Sequence, residues 1–276
     1  MNKNKTIFLL NENIDVNAEL LEISTLIKNK SHSNKQNLGP LILEIRRKIL
    51  DWLLTVCRKL SLRDQTYFIT IDLLDRLIED SEVNHEEIHL YAVVCLILAT
   101  KFEEIVVLDF IFASENICQN VFSQKKLQEA EKLVINALKM RIGKNYFEDF
   151  SFLLISKLSE TNLIPMSTKT LIYNKSLFVY KLILQDYNYH RGKSMITLYC
   201  AIIYFCLNTK IQSKEDDFNY RNSDLVKCVE AIGIKIKQIF IYTEEIEKLT
   251  DVFFDSNTTS QSNIFKVEYL SLIRSC

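Results

Sequence analysis

Apolar residues recur at intervals of three and four along most of this chain, the period of a helix with one buried face. Residues 17–29 place Leu20, Leu21, Ile23, Leu26 and Ile27 on one broad face. Residues 42–60 repeat the pattern with Ile45, Ile49, Trp52, Leu53 and Val56, and residues 64–79 with Phe68, Ile71, Leu74, Leu77 and Ile78. Asp64 stands where an N-cap is expected, and a further helical run covers Gln124 to Met140. Two segments break the amphipathic rule. Leu90–Ala99 (LYAVVCLILA) and Leu198–Leu207 (LYCAIIYFCL) are apolar on every side, so each is expected to be surrounded by other helices. The two also align, Leu198 falling 108 positions after Leu90, and each follows an amphipathic stretch carrying an aspartate, Asp75 and Asp186. The pattern predicts an internal duplication, two helical bundles in tandem joined near Gly143.

Composition sharpens that reading. Four glycines and two prolines in 276 residues leave too little turn chemistry for a sheet-rich fold and no glycine loop to cradle a phosphate. An all-α protein is predicted. Acidic residues number 35 and basic ones 34, so no strong field argues for nucleic acid or acidic lipid. No apolar stretch reaches the roughly 18 residues of a membrane span, and the apolar part of Met1–Leu10 is too short for a signal peptide. Neither a nucleic-acid nor a membrane partner is expected. The seven cysteines form no CxxC pair and mostly lie in apolar runs. Reduced thiols and a location in the nucleus and/or cytoplasm follow, with no structural zinc.

One enzyme pattern is present. His85-Glu86-Glu87-Ile88-His89 fits H-E-x-x-H, in which two histidines on one helix face ligate zinc and the glutamate acts as base. Here it falls in the first turn of a helix, just after a polar loop, where acidic residues complement the helix dipole. A third ligand would have to come from Glu103, Glu104 or Asp109, at the far end of that helix or beyond. A solvated helix start is the expected reading. Adjacent Glu103 and Glu104 point to different helix faces, and neither G-x-S-x-G nor a P-loop occurs. No catalytic residue, metal or cofactor is expected.

Several fragments, in order, resemble the cyclins. IRRKILDWLLTVC (45–57) is similar to the opening helix of a cyclin box, IDLLDRLI (71–78) to its second helix, LATKFEEI (98–105) to the end of its third, and AEKLVINALKM (130–140) to its fifth, which a glutamate heads. The five hallmark positions match as Arg46, Asp75, Leu90, Lys101 and Glu131. More weakly, residues 17–29 sit where cell-cycle cyclins carry an N-terminal helix, and residues 181–205 look like their second half. The resemblance implies two tandem five-helix cyclin-like bundles with an N-terminal helix. The organisation would be an arm over 1–40, a cyclin box over 41–143, a second cyclin-like domain over 144–250 and a tail over 251–276, with a last helix over Ile264–Ile273.

Site roles come from the same resemblance. Arg46 and Asp75 would form a buried ion pair on neighbouring helices, and Leu90 would be core. Lys101 and Glu131 would hydrogen-bond backbone groups beside the regulatory helix of a cyclin-dependent serine/threonine kinase, inside an apolar rim of Leu98, Phe102 and Ile135. The implied activity is non-catalytic: the chain favours the kinase conformation in which the active-site lysine–glutamate pair forms. A groove for substrate or inhibitor peptides would use Ile45, Ile49, Trp52 and Ile88. Two departures stand out. Lys48 replaces an apolar groove residue, and Val106-Val107 replace the two prolines common in mitotic cyclins. The alternative function is a cyclin-fold adaptor that binds a partner without activating a kinase.

Overall fold

The structure, a computed structural model, describes residues 16–29, 38–80, 83–143, 145–160, 164–191, 193–208 and 236–255. It contains helices and no strand among these residues. The helices are α1 (Val16–Asn29), α2 (Pro40–Lys59), α3 (Asp64–Asp80), α4 (Ile88–Glu103), α5 (Phe110–Phe112), α6 (Gln124–Ala137), α7 (Phe147–Glu160), α8 (Met166–Gln185), α9 (Tyr187–His190), α10 (Met195–Asn208) and α11 (Ile236–Asp255). A single 3₁₀ turn, His85–Glu87, leads into α4, and a π turn, Ala113–Ile117, continues α5.

The two helices that are apolar all round occupy the centres. In α4 every residue from Ala92 to Thr100 is buried, and α3, α6 and α2 pack around it. In the second half α10 is packed by α11, α8, α7 and α1. The N-terminal helix α1 therefore lies on the second half, tucking Leu20 and Ile27 inward. A helix without a polar face has no outward orientation to choose, so neighbours on all sides satisfy it.

Ends are set locally. Pro40 opens α2, where its missing N–H costs nothing. The helix closes with Ser61 N–H on Arg58 O (3.0 Å) and Leu62 N–H on Cys57 O (2.9 Å), with Ser61 at φ 53°, a Schellman stop. Asn84 accepts from Glu86 N–H (3.2 Å) at the 3₁₀ turn, and Ser123 accepts from Lys126 N–H (3.2 Å) at the start of α6.

Two aspartates stand differently from the sequence expectation. Asp64 is the first residue of α3 rather than its cap, because its carboxylate meets Lys181 Nζ of α8 at 2.8 Å. Lys181 is buried and requires an anion there. Asp186 lies in the break between α8 and α9, where it accepts from Tyr189 N–H at 2.9 Å. It is a cap, not the counterpart of Asp75 within a helix. The helix α11 also continues to Asp255, past residue 250. Cys57, Cys95, Cys118, Cys200 and Cys206 are free and buried. Residues 1–15, the Ile264–Ile273 segment, Cys228 and Cys276 lie outside the described residues.

Candidate partner-binding site

Lys101 sits in the last turn of α4, where the helix dipole favours a cation. Its Nζ meets Glu131 Oε1 of α6 at 2.6 Å, and it stands 5.0 Å from the Phe110 ring centroid. Lys101 is 40% exposed and Glu131 16%. Both therefore keep donor and acceptor capacity toward solvent. Glu131 does not head its helix but lies in its middle, because α6 begins at Gln124 under the Ser123 cap.

Exposed apolar side chains follow Lys101 along the chain. Phe102 follows Lys101 and is 58% exposed. Ile105, Val106 and Val107 project from the loop after α4, and Ile111 from α5. Thr100 shapes this loop from below, its Oγ1 donating to Ile97 O (2.8 Å) and accepting from Leu108 N–H (3.2 Å). The two glutamates after Phe102 anchor it. Glu103 pairs with Arg63 (2.6 Å), while Glu104 accepts from Arg63 N–H (2.7 Å) and Thr66 Oγ1 (2.6 Å). These carboxylates tie the end of α4 to the start of α3. Of the expected rim, Phe102 is exposed and Ile135 half-buried, whereas Leu98 is only 3% exposed and belongs to the core. A helix buried on every side hides Leu98 whichever way it points.

Behind this surface lies a buried ionic network between the two halves. Arg46 of α2 grips Asp75 of α3 with two bonds, Nε to Oδ1 at 2.6 Å and an Nη to Oδ2 at 2.9 Å, and both residues are 1% exposed. The same guanidinium donates to the last carbonyls of α8, Leu184 O at 3.0 Å and Gln185 O at 3.4 Å. His190 of α9 completes the shell of Asp75, its Nε2 lying 3.1 Å from Oδ2 while Nδ1 lies 3.1 Å from Asp186 O. Burial alone would raise the Asp75 carboxyl, but the Arg46 charge and the His190 contact outweigh it and hold it well below the ordinary carboxylate range. Burial lowers His190, against the opposing pull of Asp75. One turn further along α3, Glu79 binds Arg191 and accepts from Tyr187 Oη at 2.7 Å. Leu90 is core, at the head of α4. Sequence patterning had no access to His190, Arg191, Glu79 or Lys181, because their partners are more than a hundred positions away.

The groove residues divide. Ile88 is fully buried and Ile49 nearly so, as both face the core between α2 and α4. Ile45 and Trp52 are half-buried, and Lys48 lies outside on a pair with Glu44 at 2.6 Å. In the H-E-x-x-H segment His85 and Glu86 are exposed in the 3₁₀ turn. His89 is wedged edge-on between Trp52 (4.7 Å) and Phe122 (5.4 Å). Among the described residues no group of three or more His, Cys, Asp or Glu is placed to hold a metal ion.

Comparison with known proteins places this arrangement. Residues 16–143 match the model of the cyclin N-terminal domain. The G2/mitotic-specific cyclin-1 of Medicago sativa subsp. varia is 36% identical over 102 residues, covering 36% of this chain and 23% of that protein. Cyclin-A1-2 of Oryza sativa subsp. japonica is 25% identical over 201 residues, 68% of this chain and 40% of that protein. The matches thus span less than half the length of these relatives. In fold, a viral cyclin from herpesvirus saimiri superposes with a TM-score of 0.64 at 16% identity, covering 86% of this chain and 96% of the other. A chain of the CAK complex from Chaetomium thermophilum bound to ATP-γ-S gives 0.53 at 12% identity, with 93% and 81% covered. Residues 16–143, built around α4, thus match a cyclin N-terminal domain, the tandem helical bundles share the fold of a viral cyclin, and the similar proteins are cyclins of the mitotic, A and B types.

Proposed function

We propose that the chain is the non-catalytic regulatory subunit of a cyclin-dependent serine/threonine kinase and acts in cell-cycle control. The observation that carries this reading is the Lys101–Glu131 pair, partly exposed, with Phe102, Ile105 and Val106 exposed in the chain that follows Lys101 and Ile111 exposed next to Phe110, whose ring faces Lys101. An exposed ion pair by itself is worth about 0–1 kcal/mol and needs no apolar surround. A pair with spare hydrogen-bonding capacity, next to exposed apolar groups, has the composition of an interface centre. Lys101 donates to a backbone carbonyl of the kinase, Glu131 accepts from a backbone N–H, and Phe102 with Ile111 packs on the helix that carries the kinase's active-site glutamate.

Activation follows by differential binding. The subunit contacts the active conformation of the kinase better than the inactive one, and the population shifts by that difference. Its own chemistry supplies no step. The buried Arg46–Asp75–His190 network keeps α2, α3 and the end of α8 in fixed relation, so the surface on α4 and α6 is presented without reorganisation. The mitotic, A-type and B-type relatives support the cell-cycle assignment.

The test is to mix the purified chain with each cyclin-dependent kinase of its source organism and measure both complex formation and phosphorylation of a histone-type substrate. Binding with a rise in activity is expected for at least one kinase. Binding with no rise would replace the activator by an adaptor, and no binding to any of them would refute the reading.

A further inference from the structure

Three segments of the chain place an arginine three residues before a hydroxyl: Arg58 to Ser61, Arg63 to Thr66 and Arg191 to Ser194. The fold separates them sharply. Thr66 is fully buried and committed to Glu104. Arg191 is buried in its bond to Glu79, and Lys193, next to Ser194, is paired with Glu245 and stacked against the Tyr189 ring. In the first segment Arg58, Lys59 and Ser61 are all exposed, at the corner between α2 and α3. The Ser61 hydroxyl makes no side-chain hydrogen bond among the described residues. The sequence around it, Arg58-Lys59-Leu60-Ser61-Leu62, sets two cations ahead of the hydroxyl and an apolar residue after it.

We infer that Ser61 is a phosphorylation site for a basic-directed serine kinase, one whose peptide groove is acidic and takes up Arg58 and Lys59. The kinase transfers the γ-phosphoryl group of ATP to Ser61 Oγ. The new O–P bond forms as the bond to the β-phosphate breaks, ADP leaves, and the hydroxyl proton passes to the base of that kinase. The last turn of α2 has to open for the peptide to extend. It is held by Leu60 N–H on Val56 O and by the Schellman bonds of Ser61 and Leu62, and Ser61 sits at φ 53°, a backbone conformation that favours glycine.

The phosphate would act on the Lys101 surface. It lies two residues from Arg63, whose guanidinium is 51% exposed and pairs with Glu103 at the end of α4. A dianion that close competes with Glu103 for the guanidinium. It also adds negative charge at the C-terminal end of α2, three residues before Asp64, which destabilises the corner. Releasing Glu103 loosens the turn that carries Lys101 and Phe102. This second step depends on the kinase-binding reading, whereas the modification itself does not.

The experiment uses the full chain, ATP and the catalytic subunit of cAMP-dependent protein kinase as the probe. Wild type, Ser61→Gly and Arg58→Ala are compared by intact-mass and fragment mass spectrometry. Glycine relieves the positive φ, so the first variant keeps the fold while removing the acceptor. One phosphate at Ser61 is expected in wild type, none in Ser61→Gly, and a rate at least about tenfold lower in Arg58→Ala. No incorporation at Ser61, or equal rates with and without Arg58, would overturn the site. The phosphorylated chain should melt about 2–4 °C lower than the unmodified one. An unchanged melting temperature would overturn the coupling to α4 while leaving the partner assignment intact.

Discussion

Replacing Arg46 by methionine removes the cation at the centre of the inter-half network and keeps most of the side-chain volume. Asp75 then stays buried facing His190 alone, and the carbonyls of Leu184 and Gln185 lose their donor. Stranding one member of a buried ion pair costs about 3–5 kcal/mol, and orphaning buried acceptors adds roughly 1–2 kcal/mol. The expected loss, about 4–7 kcal/mol, is a large share of the 5–15 kcal/mol that a folded protein typically holds. In thermal unfolding it corresponds to a drop of about 10–20 °C. The pH dependence adds a sharper signature. In wild type Asp75 is held below its unfolded value, so its contribution is present above about pH 4 and is lost only as strong acid protonates it. Without Arg46, burial dominates and raises the folded pKa. The Asp75 term is then favourable at low pH and disappears as pH rises, so Arg46→Met should lose less stability at pH 4.5 than at pH 7.5. The double variant Arg46→Met/Asp75→Leu removes both charges and should recover more than half of the loss. A drop below about 1 kcal/mol for the single variant, or a double variant no more stable than the single, would refute the assignment of the network as the tie between the halves.

Other consequences follow from the same geometry. His190 is lowered by burial, so the stability it carries as a neutral ring is intact above about pH 6.5 and is lost as pH falls toward its lowered folded value. His190→Gln should flatten the slope of melting temperature against pH between 7 and 5, and an unchanged slope would count against it. Asp51 on α2 has a buried Oδ2 without a hydrogen-bond partner among the described residues, and burial raises it to about 6. Its unfavourable charge should make Asp51→Asn more stable than wild type at pH 7.5, with the gain shrinking below pH 5. A loss of stability at pH 7.5 would show that the charge has a partner in solution.

The helices and the two central segments were legible because their signal is local. The apolar runs at 90–99 and 198–207 lie inside α4 and α10, and the amphipathic stretches predict the courses of α1, α2, α3 and α6 within a few residues. Locality also marks where sequence reading ended. Leu98 and Ile88 were expected at surfaces, yet a run apolar on all sides cannot say which of its residues face outward, and packing buried both. The aspartate repeat suggested that Asp186 mirrors Asp75, but Asp186 caps a four-residue helix, since the second half breaks at that point. The sequence says of Glu103 and Glu104 only that they point to different helix faces, and the fold reveals that Arg63 and Thr66 use them to fasten α4 to α3. The resemblance pointed to the Arg46–Asp75 pair, while its remaining partners, the end of α8 and His190, come from the other half of the chain.

The most direct measurement is the affinity of a cyclin-dependent kinase for wild type and for the charge-exchanged variant Lys101→Glu/Glu131→Lys. Exchange lets the intramolecular pair re-form with opposite polarity but sets an anion at the C-terminal end of α4, so stability should fall by no more than about 2 kcal/mol, while every hydrogen bond offered outward is reversed. Binding is expected to weaken by about 2–5 kcal/mol, with kinase activation lost in parallel. Equal affinity and equal activation by a stably folded variant would contradict the placement of the kinase on this surface.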